Sequence, residues 1–328
     1  MSKKILFYTH QLNYRGTTNS LVDYAEYNQS VLGNESTIIY NADFNEQGLE
    51  ILSDKNVISE VSKRFNVIPY HAGPEDDFRE LNDIASKYDL FYFQKAGLKE
   101  EPEITSTKTA NHAVFQYCDP HGDRYAYISE WLSMEAKKNL NVDVPFVPYV
   151  VDLPSPNMDL RAKLGIPKDK FVFGRHGGFY TFDKDFVWDK VAKIANERND
   201  VVFLFANTYK MYEHPNIIYL PPFFGNQHKS NFIAACDSMI HGRNLGESFG
   251  GAVCEFLFHN KPVLSWEGGF DQNHVLLLKE ENLLYNDQNV YDKMIEMISI
   301  SKTRNWKRIV EPFTPQNVMK KFDEVFIK

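Results

Sequence analysis

Two carboxylates eight residues apart, Glu247 and Glu255, bracket a Ser248-Phe249-Gly250-Gly251 step within His241–Glu255. Ser248 is a good helix N-cap, and Phe249, Val253, Phe256 and Leu257 follow at helical spacing, which predicts a helix opening here. Gly250 and Gly251 carry no Cβ, so a ligand can approach the unpaired N–H groups of the first turn. Such a tip suits an anion, for instance a diphosphate or a sugar phosphate. On this reading Glu247 stands just before the helix and Glu255 about 12 Å further along its axis, so the acids can reach opposite ends of an elongated ligand. The plain alternative makes Glu247 a complement to the helix dipole and Glu255 a solvated residue. Glu255, however, lies between Cys254 and Phe256-Leu257-Phe258, where an unpaired charge is costly, so it calls for a partner or a ligand.

A second candidate is Phe173-Gly-Arg175-His-Gly-Gly178, which follows a strand pattern and precedes a helical one ending the loop at Lys184. Arg175 is by type a bidentate phosphate donor, and Gly177 and Gly178 let backbone N–H groups come near; a salt bridge is the alternative.

The elements that must position these groups alternate regularly. Apolar runs at Ile5–Tyr8, Thr37–Tyr40, Phe65–Pro69, Leu90–Phe93, Ala113–Tyr117 and Val144–Pro148 predict strands, with helices near 19–29 and 78–88. Asp152–Asn157, with two prolines and several turn formers, predicts a linker. The alternation then restarts with strands at Phe171–Gly174, Val201–Phe205, Asn216–Tyr219, Ser238–His241 and Pro262–Ser265, and a helix over Asp185–Arg198. Continuous apolar strands between helices indicate parallel sheets covered on both faces, with ligands gathering at strand C-termini. Pro312 to Ile327 predicts one helix.

The segment Gly246-Glu247 through Glu255-Phe256, followed by Asn260-Lys-Pro-Val263, resembles the acid-x7-acid signature of retaining GT-B glycosyltransferases, and more narrowly glycosyltransferase family 4. The resemblance implies an α/β fold of GT-B type, with two Rossmann-like doubly wound parallel-sheet domains facing a cleft. Residues 1–152 would form the acceptor-side domain and 153–311 the nucleotide-sugar domain, with the tail 312–328 packing back on the first. It implies that Glu255 binds the ribose, Glu247 the donor sugar, and Arg175 with the Ser248-Phe249-Gly250-Gly251 tip the leaving diphosphate. The family has a Lys soon after its Gly-Arg; Lys184 lies further along, so His176, Thr181 or Arg243 can share the phosphate. Pro222 and Phe223 fall where the family holds the nucleotide base, or else form an ordinary Pro-rich turn. Gly16 and Thr17 fall in a loop that touches donor phosphate or acceptor. His121 falls where relatives present a histidine near the donor sugar, with Asp119 and His10 as alternatives. Gln94-Lys95 could meet the acceptor, and Asn273-His274 is either a pocket edge or a solvated loop.

The implied reaction moves a sugar from a UDP-, GDP-, ADP- or dTDP-sugar to a glycan or other hydroxyl acceptor, with retention and with neither metal nor cofactor. A nucleotide-sugar epimerase or hydrolase of the same fold, and an inactive nucleotide-sugar-binding protein, are the alternatives.

Composition agrees with a globular enzyme: 328 residues, 43% hydrophobic, 25 Phe and 18 Tyr. A net charge of −8 argues against a nucleic-acid binder. Three scattered cysteines, Cys118, Cys236 and Cys254, predict a reduced, cytoplasmic setting, and no apolar run reaches membrane-spanning length. There is no Gly-x-Gly-x-x-Gly after the first strand, no Walker A loop, no Gly-x-Ser-x-Gly and no HExxH.

Overall fold

The computed structural model describes residues 2–42, 53–71, 78–99, 102–299 and 304–328. The chain divides into two compact units, Met1–Val150 with Phe313–Lys328, and Val151–Pro312.

In the first unit, strands β1 (Lys4–Thr9), β2 (Glu35–Asn41), β3 (Asn66–Tyr70), β4 (Leu90–Lys95), β5 (Thr109–Ala113) and β6 (Arg124–Tyr127) form one parallel sheet in the order β3-β2-β1-β4-β5-β6. This is the doubly wound order that reverses direction beside β1. Two expected strands are placed differently. The strand expected at Ala113–Tyr117 lies upstream, as β5, whose Thr109, Asn111 and His112 are buried and polar and so do not stand out by hydropathy. His112 is satisfied inside the core: its Nε2 donates to Tyr127 O and Val147 O, and Nδ1 accepts from Tyr92 Oη at 2.6 Å. Val144–Pro148 makes only a single bridge, Phe146 to Tyr127, since its prolines lack the N–H a ladder requires. The first helix spans Gly16–Ser30, three residues earlier than expected.

The tail is not one helix. A 3₁₀ turn (Lys307–Phe313) gives way to a helix with Pro315 in its first turn (Pro315–Phe322) and a π turn (Asp323–Ile327). Phe322 and Phe326 pack against Tyr92, and Phe322 also against Phe7 and Tyr24.

In the second unit, β7 (Phe171–Arg175), β8 (Val201–Ala206), β9 (Ile217–Leu220) and β10 (Ser238–His241) precede a two-residue strand, β11 (Gly246–Glu247). β12 (Val263–Trp266), β13 (Asp271–Gln272) and β14 (Leu284–Tyr285) follow. The main sheet is parallel, ordered β14-β12-β10-β7-β8-β9, and β11 pairs with β13 beside it. β8, Val-Val-Phe-Leu-Phe-Ala, is buried throughout, as a strand covered on both faces must be. The helix Asp185–Glu197 turns Val187, Trp188, Val191, Ile194 and Ala195 inward. The expected linker is held down: Ser230 Oγ donates to Pro154 O at 2.5 Å, and Asn157 N to Asn231 Oδ1 at 2.9 Å. Arg175, Ala206, His241 and Trp266 end adjacent strands along one edge of this sheet. Among the described residues, no helix is long and apolar enough to cross a membrane.

Candidate functional site

Glu255 sits in the helix Gly251–Phe258, between Cys254 and Phe256, both fully buried. Its Oε1 accepts from Lys229 Nζ at 2.6 Å, and its Oε2 lies 3.1 Å from His176 Nε2. Lys229 comes from the helix Asn226–Ala234 and His176 from the residue after β7. Burial would raise the carboxyl pKa, but the charge of Lys229 and the contact with His176 outweigh it and hold it at about 2. Glu255 is therefore an ionised acid with a built-in counter-ion rather than a solvated helix residue. A carboxylate has about four acceptor positions, so lone pairs remain for ligand hydroxyls.

Glu247 is held the same way by different groups. His241 Nε2 lies 3.2 Å from Oε1 and Arg243 Nη1 donates to Oε2 at 2.9 Å. Here too burial pushes the carboxyl up, and the hydrogen bond and charge of His241, with the charge of Arg243, bring it down to about 2. His241 ends β10, and its Nδ1 is 2.7 Å from Ser265 Oγ on β12. His274 is not a solvated loop residue. It is fully buried in the helix Asn273–Leu278, its ring 5.0 Å from that of His241, and its Nε2 donates to Trp266 O. Burial and the neighbouring His241 push its pKa down to about 3, so the ring is neutral.

The helix opens at Gly251, not at Ser248, because Gly246-Glu247 is drawn out as a strand against β13. Ser248 is consequently not the N-cap, and no side chain caps this helix. Gly250 takes that place with φ 87°, where a Cβ would come 3.3 Å from Glu247 Cβ. A Cβ on Gly251 would meet nothing within 4 Å. Phe249 is a core residue, and its carbonyl accepts from Asn273 Nδ2 at 2.7 Å.

Arg175 is buried, and both terminal nitrogens are bonded within the protein. Nη1 donates to Thr208 Oγ1 (2.5 Å) and Asn207 O (3.3 Å), and Nη2 to Thr181 Oγ1 (2.5 Å) and Gly178 O (2.9 Å). Burial lowers its pKa to about 10, with Glu247 pulling the other way, so it stays cationic at neutral pH. The fork expected to grip a phosphate is closed on protein acceptors, and only its charge reaches outward. Lys184 has its Nζ 4.0 Å above the Trp266 ring. Gly178 and Pro222 are exposed; Phe223 is half-buried, its ring 6.0 Å from His176, which brings that loop to the Glu255 group.

In the first unit, Gly16 and Thr17 open the helix Gly16–Ser30, with Gly16 exposed and no side chain capping the turn. His121 Nδ1 lies 2.6 Å from Asp119 O, and Nε2 lies 3.3 Å from Lys95 Nζ at the end of β4. A carbonyl only accepts, so these contacts assign the proton to Nδ1 and leave Nε2 accepting from Lys95. His10 is paired with Tyr8 Oη at 3.2 Å. Burial and Lys95 lower its pKa. Among the described residues, no three His, Cys, Asp or Glu side chains converge as metal ligands.

Lys229 and His241 carried no expected role, and His176 and Arg243, expected to share a phosphate, are partners of Glu255 and Glu247. Lys229 lies 26 residues from Glu255, with no local pattern linking them. His241 did carry a signal: it ends a strand six residues before Glu247.

No protein-family model and no curated protein matches the chain. Solved structures do. The chain is similar to a glycosyltransferase from Rickettsia africae ESF-5, with a TM-score of 0.72 and 13% identity over 99% of this chain and 98% of that one. Anabaena Alr3699/HepE in complex with UDP and glucose gives 0.72 and 15% over 98% of each chain. A Listeria monocytogenes protein provisionally described as a UDP-N-acetylglucosamine 2-epimerase gives 0.61 and 9%, over 98% of this chain and 95% of that one. At such identities the likeness establishes the fold, which is of GT-B type: an α/β chain of two Rossmann-like parallel sheets.

Proposed function

We propose that this chain is a glycosyltransferase that uses a nucleotide-sugar donor. The observation that carries the reading is the pair of ionised acids, Glu247 and Glu255, on either side of a glycine-opened helix start in a GT-B fold. Each acid is oriented by fixed cations, so it can present lone pairs to sugar hydroxyls without reorganising.

On this reading Glu255 receives the ribose hydroxyls beside Phe223, and Glu247 the hydroxyls of the donor sugar. The diphosphate meets the first-turn N–H groups at Gly251 and the guanidinium of Arg243, with Lys184 and the Arg175 charge adding to the field. Charge grows on the diphosphate as the bond to the sugar's anomeric carbon breaks, and preorganised donors act most strongly there. The acceptor hydroxyl enters on the face the leaving group vacates and passes its proton to a phosphate oxygen, which retains the anomeric configuration. His121 is assigned to steering the incoming hydroxyl, and Lys95 to meeting the acceptor. No metal is required in this scheme.

The test is a thermal-shift titration with UDP-, GDP-, ADP- and dTDP-sugars, followed by a transfer assay with and without a chelator. A ligand that binds only the folded state raises Tm with its concentration. If none of the four donor classes moves Tm, the reading fails. The similarity to the Listeria protein supports a second reading, nucleotide-sugar epimerisation or hydrolysis, which predicts an isomerised or free sugar when no acceptor is present.

A further inference from the structure

Arg175 joins two loops. Its Nη2 holds the loop after β7 through Gly178 O and Thr181 Oγ1, and its Nη1 holds the loop after β8 through Asn207 O and Thr208 Oγ1. Asn207 Nδ2 adds a bond to Gly177 O, and Tyr209 N donates to Phe179 O. The two loops together carry Phe179, Tyr180 and Tyr209, which are 43%, 76% and 52% exposed. The rings touch: Phe179 stands edge-on to Tyr180 at 4.8 Å, and Tyr180 is stacked with Tyr209 at 6.3 Å. Large exposed aromatics that are held rigidly and grouped mark an interaction surface rather than scattered apolar residues. Directly after Tyr209 the chain lines an open cavity of about 470 Å³ with Lys210, Glu213, His214 and Tyr219.

We propose that Phe179, Tyr180 and Tyr209 form a stacking platform for the pyranose rings of a glycan chain, and that Arg175 is its internal clamp. A sugar ring offers an apolar C–H face to an aromatic ring and hydroxyls at its rim. The platform supplies the first contact, and the polar cavity supplies partners for the second. Its position at the C-terminal ends of adjacent parallel strands is where ligands of this architecture collect. Charge argues against an anionic lipid surface, because Lys210 is matched by Glu213 and, in the segment after Tyr180, Lys184 is flanked by Asp183 and Asp185. Area argues against a second copy: three rings present a few hundred Å² at most, short of the roughly 800 Å² per partner of a stable dimer. The clamp keeps the loops ordered before binding, which lowers the entropic cost of stacking. This inference adds a glycan class to the acceptor of the proposed reaction, but the platform is tested without any nucleotide.

The test is affinity electrophoresis of the full chain in native gels containing dextran, laminarin, mannan or xylan. At least one polysaccharide should retard the protein, Tyr180→Ala and Tyr209→Ala should each weaken retardation roughly fivefold, and Tyr180→Phe should retain it. Circular dichroism melting confirms that the variants fold. Retardation by none of the four, or equal retardation of the alanine variants, overturns the proposal. So does a Tyr180-dependent dimer in size-exclusion chromatography, or Tyr180-dependent sedimentation with phosphatidylglycerol vesicles. Glycan retardation without any nucleotide response would leave the platform standing and remove the transferase reading instead.

Discussion

Lys229 Nζ lies 2.6 Å from Glu255 Oε1, joining two helices through side chains that are only 10% and 14% exposed. A buried carboxylate in this setting needs its cation more than the protein needs the pair as such. Removing Lys229 alone strands a charge, whereas removing both partners leaves an apolar contact.

The expected result for Lys229→Met is therefore a loss of roughly 3 kcal/mol in urea unfolding, with much of it recovered in Lys229→Met/Glu255→Met. Equal stability of the single variant and the wild type would show that the pair carries no energy. The double variant should also bind nucleotide more weakly, since it lacks the acid assigned to the ribose.

Acid should destabilise this protein through both site carboxylates. Glu247 and Glu255 ionise at about 2 in the folded chain against an ordinary glutamate value of 4.5. Their folded pKa values lie below the unfolded ones, so the stabilisation is complete above the unfolded value and disappears as pH falls from about 4.5 through about 2. Each group contributes on the order of 3 kcal/mol over that window. Urea midpoints measured from pH 6 down to pH 2.5 should hold to about pH 4.5 and fall below it, and Glu255→Gln should flatten that fall. A wild-type midpoint that does not move across this range would refute the ionised pairs.

The two acids are expected to fail differently when replaced. Glu247→Ala should lower kcat by at least about 100-fold with the fold intact, because it removes the group facing the reacting sugar. Glu255→Ala should raise the nucleotide Kd by roughly tenfold in calorimetric titration, the worth of a lost charge-assisted hydrogen bond. Unchanged turnover in the first variant, or unchanged affinity in the second, removes that residue from its role.

Gly250 and Gly251 should separate folding from ligand approach. Gly250→Ala places a Cβ in the left-handed region, 3.3 Å from Glu247 Cβ, and should cost about 1–2 kcal/mol of stability. Gly251→Ala meets no neighbour and should leave stability within about 0.5 kcal/mol, while crowding the helix tip and weakening nucleotide binding. Denaturation curves and titrations on both variants test this; a Gly251→Ala protein that binds normally would mean the diphosphate does not use this tip.

Much of the architecture was legible because its signals are local. Ile5–Tyr8 and Val201–Phe205 are short runs of large apolar residues, and burial on both faces of a parallel sheet demands such runs. The acid pair with its glycines was visible for a similar reason: both acids and the turn between them lie within one continuous segment. The misplaced strand β5 carries Thr, Asn and His in its interior, and only the hydrogen bonds of the surrounding core make that burial tolerable. Ser248 had the right chemistry for a cap, but pairing of Gly246-Glu247 with Asp271-Gln272 shifted the helix start beyond it.

The order of residues along the chain determined which segments are strands, where the doubly wound pattern restarts, and which two carboxylates flank a helix tip. Tertiary structure alone decided what those charges face. Lys229, His176 and His241 reach the acids from other elements, and Arg175 turns inward to bind Thr181 and Thr208. Periodicity reports the side of an element that is buried. The partner of a buried charge depends on which distant segment packs against it, and chain spacing does not encode that distance.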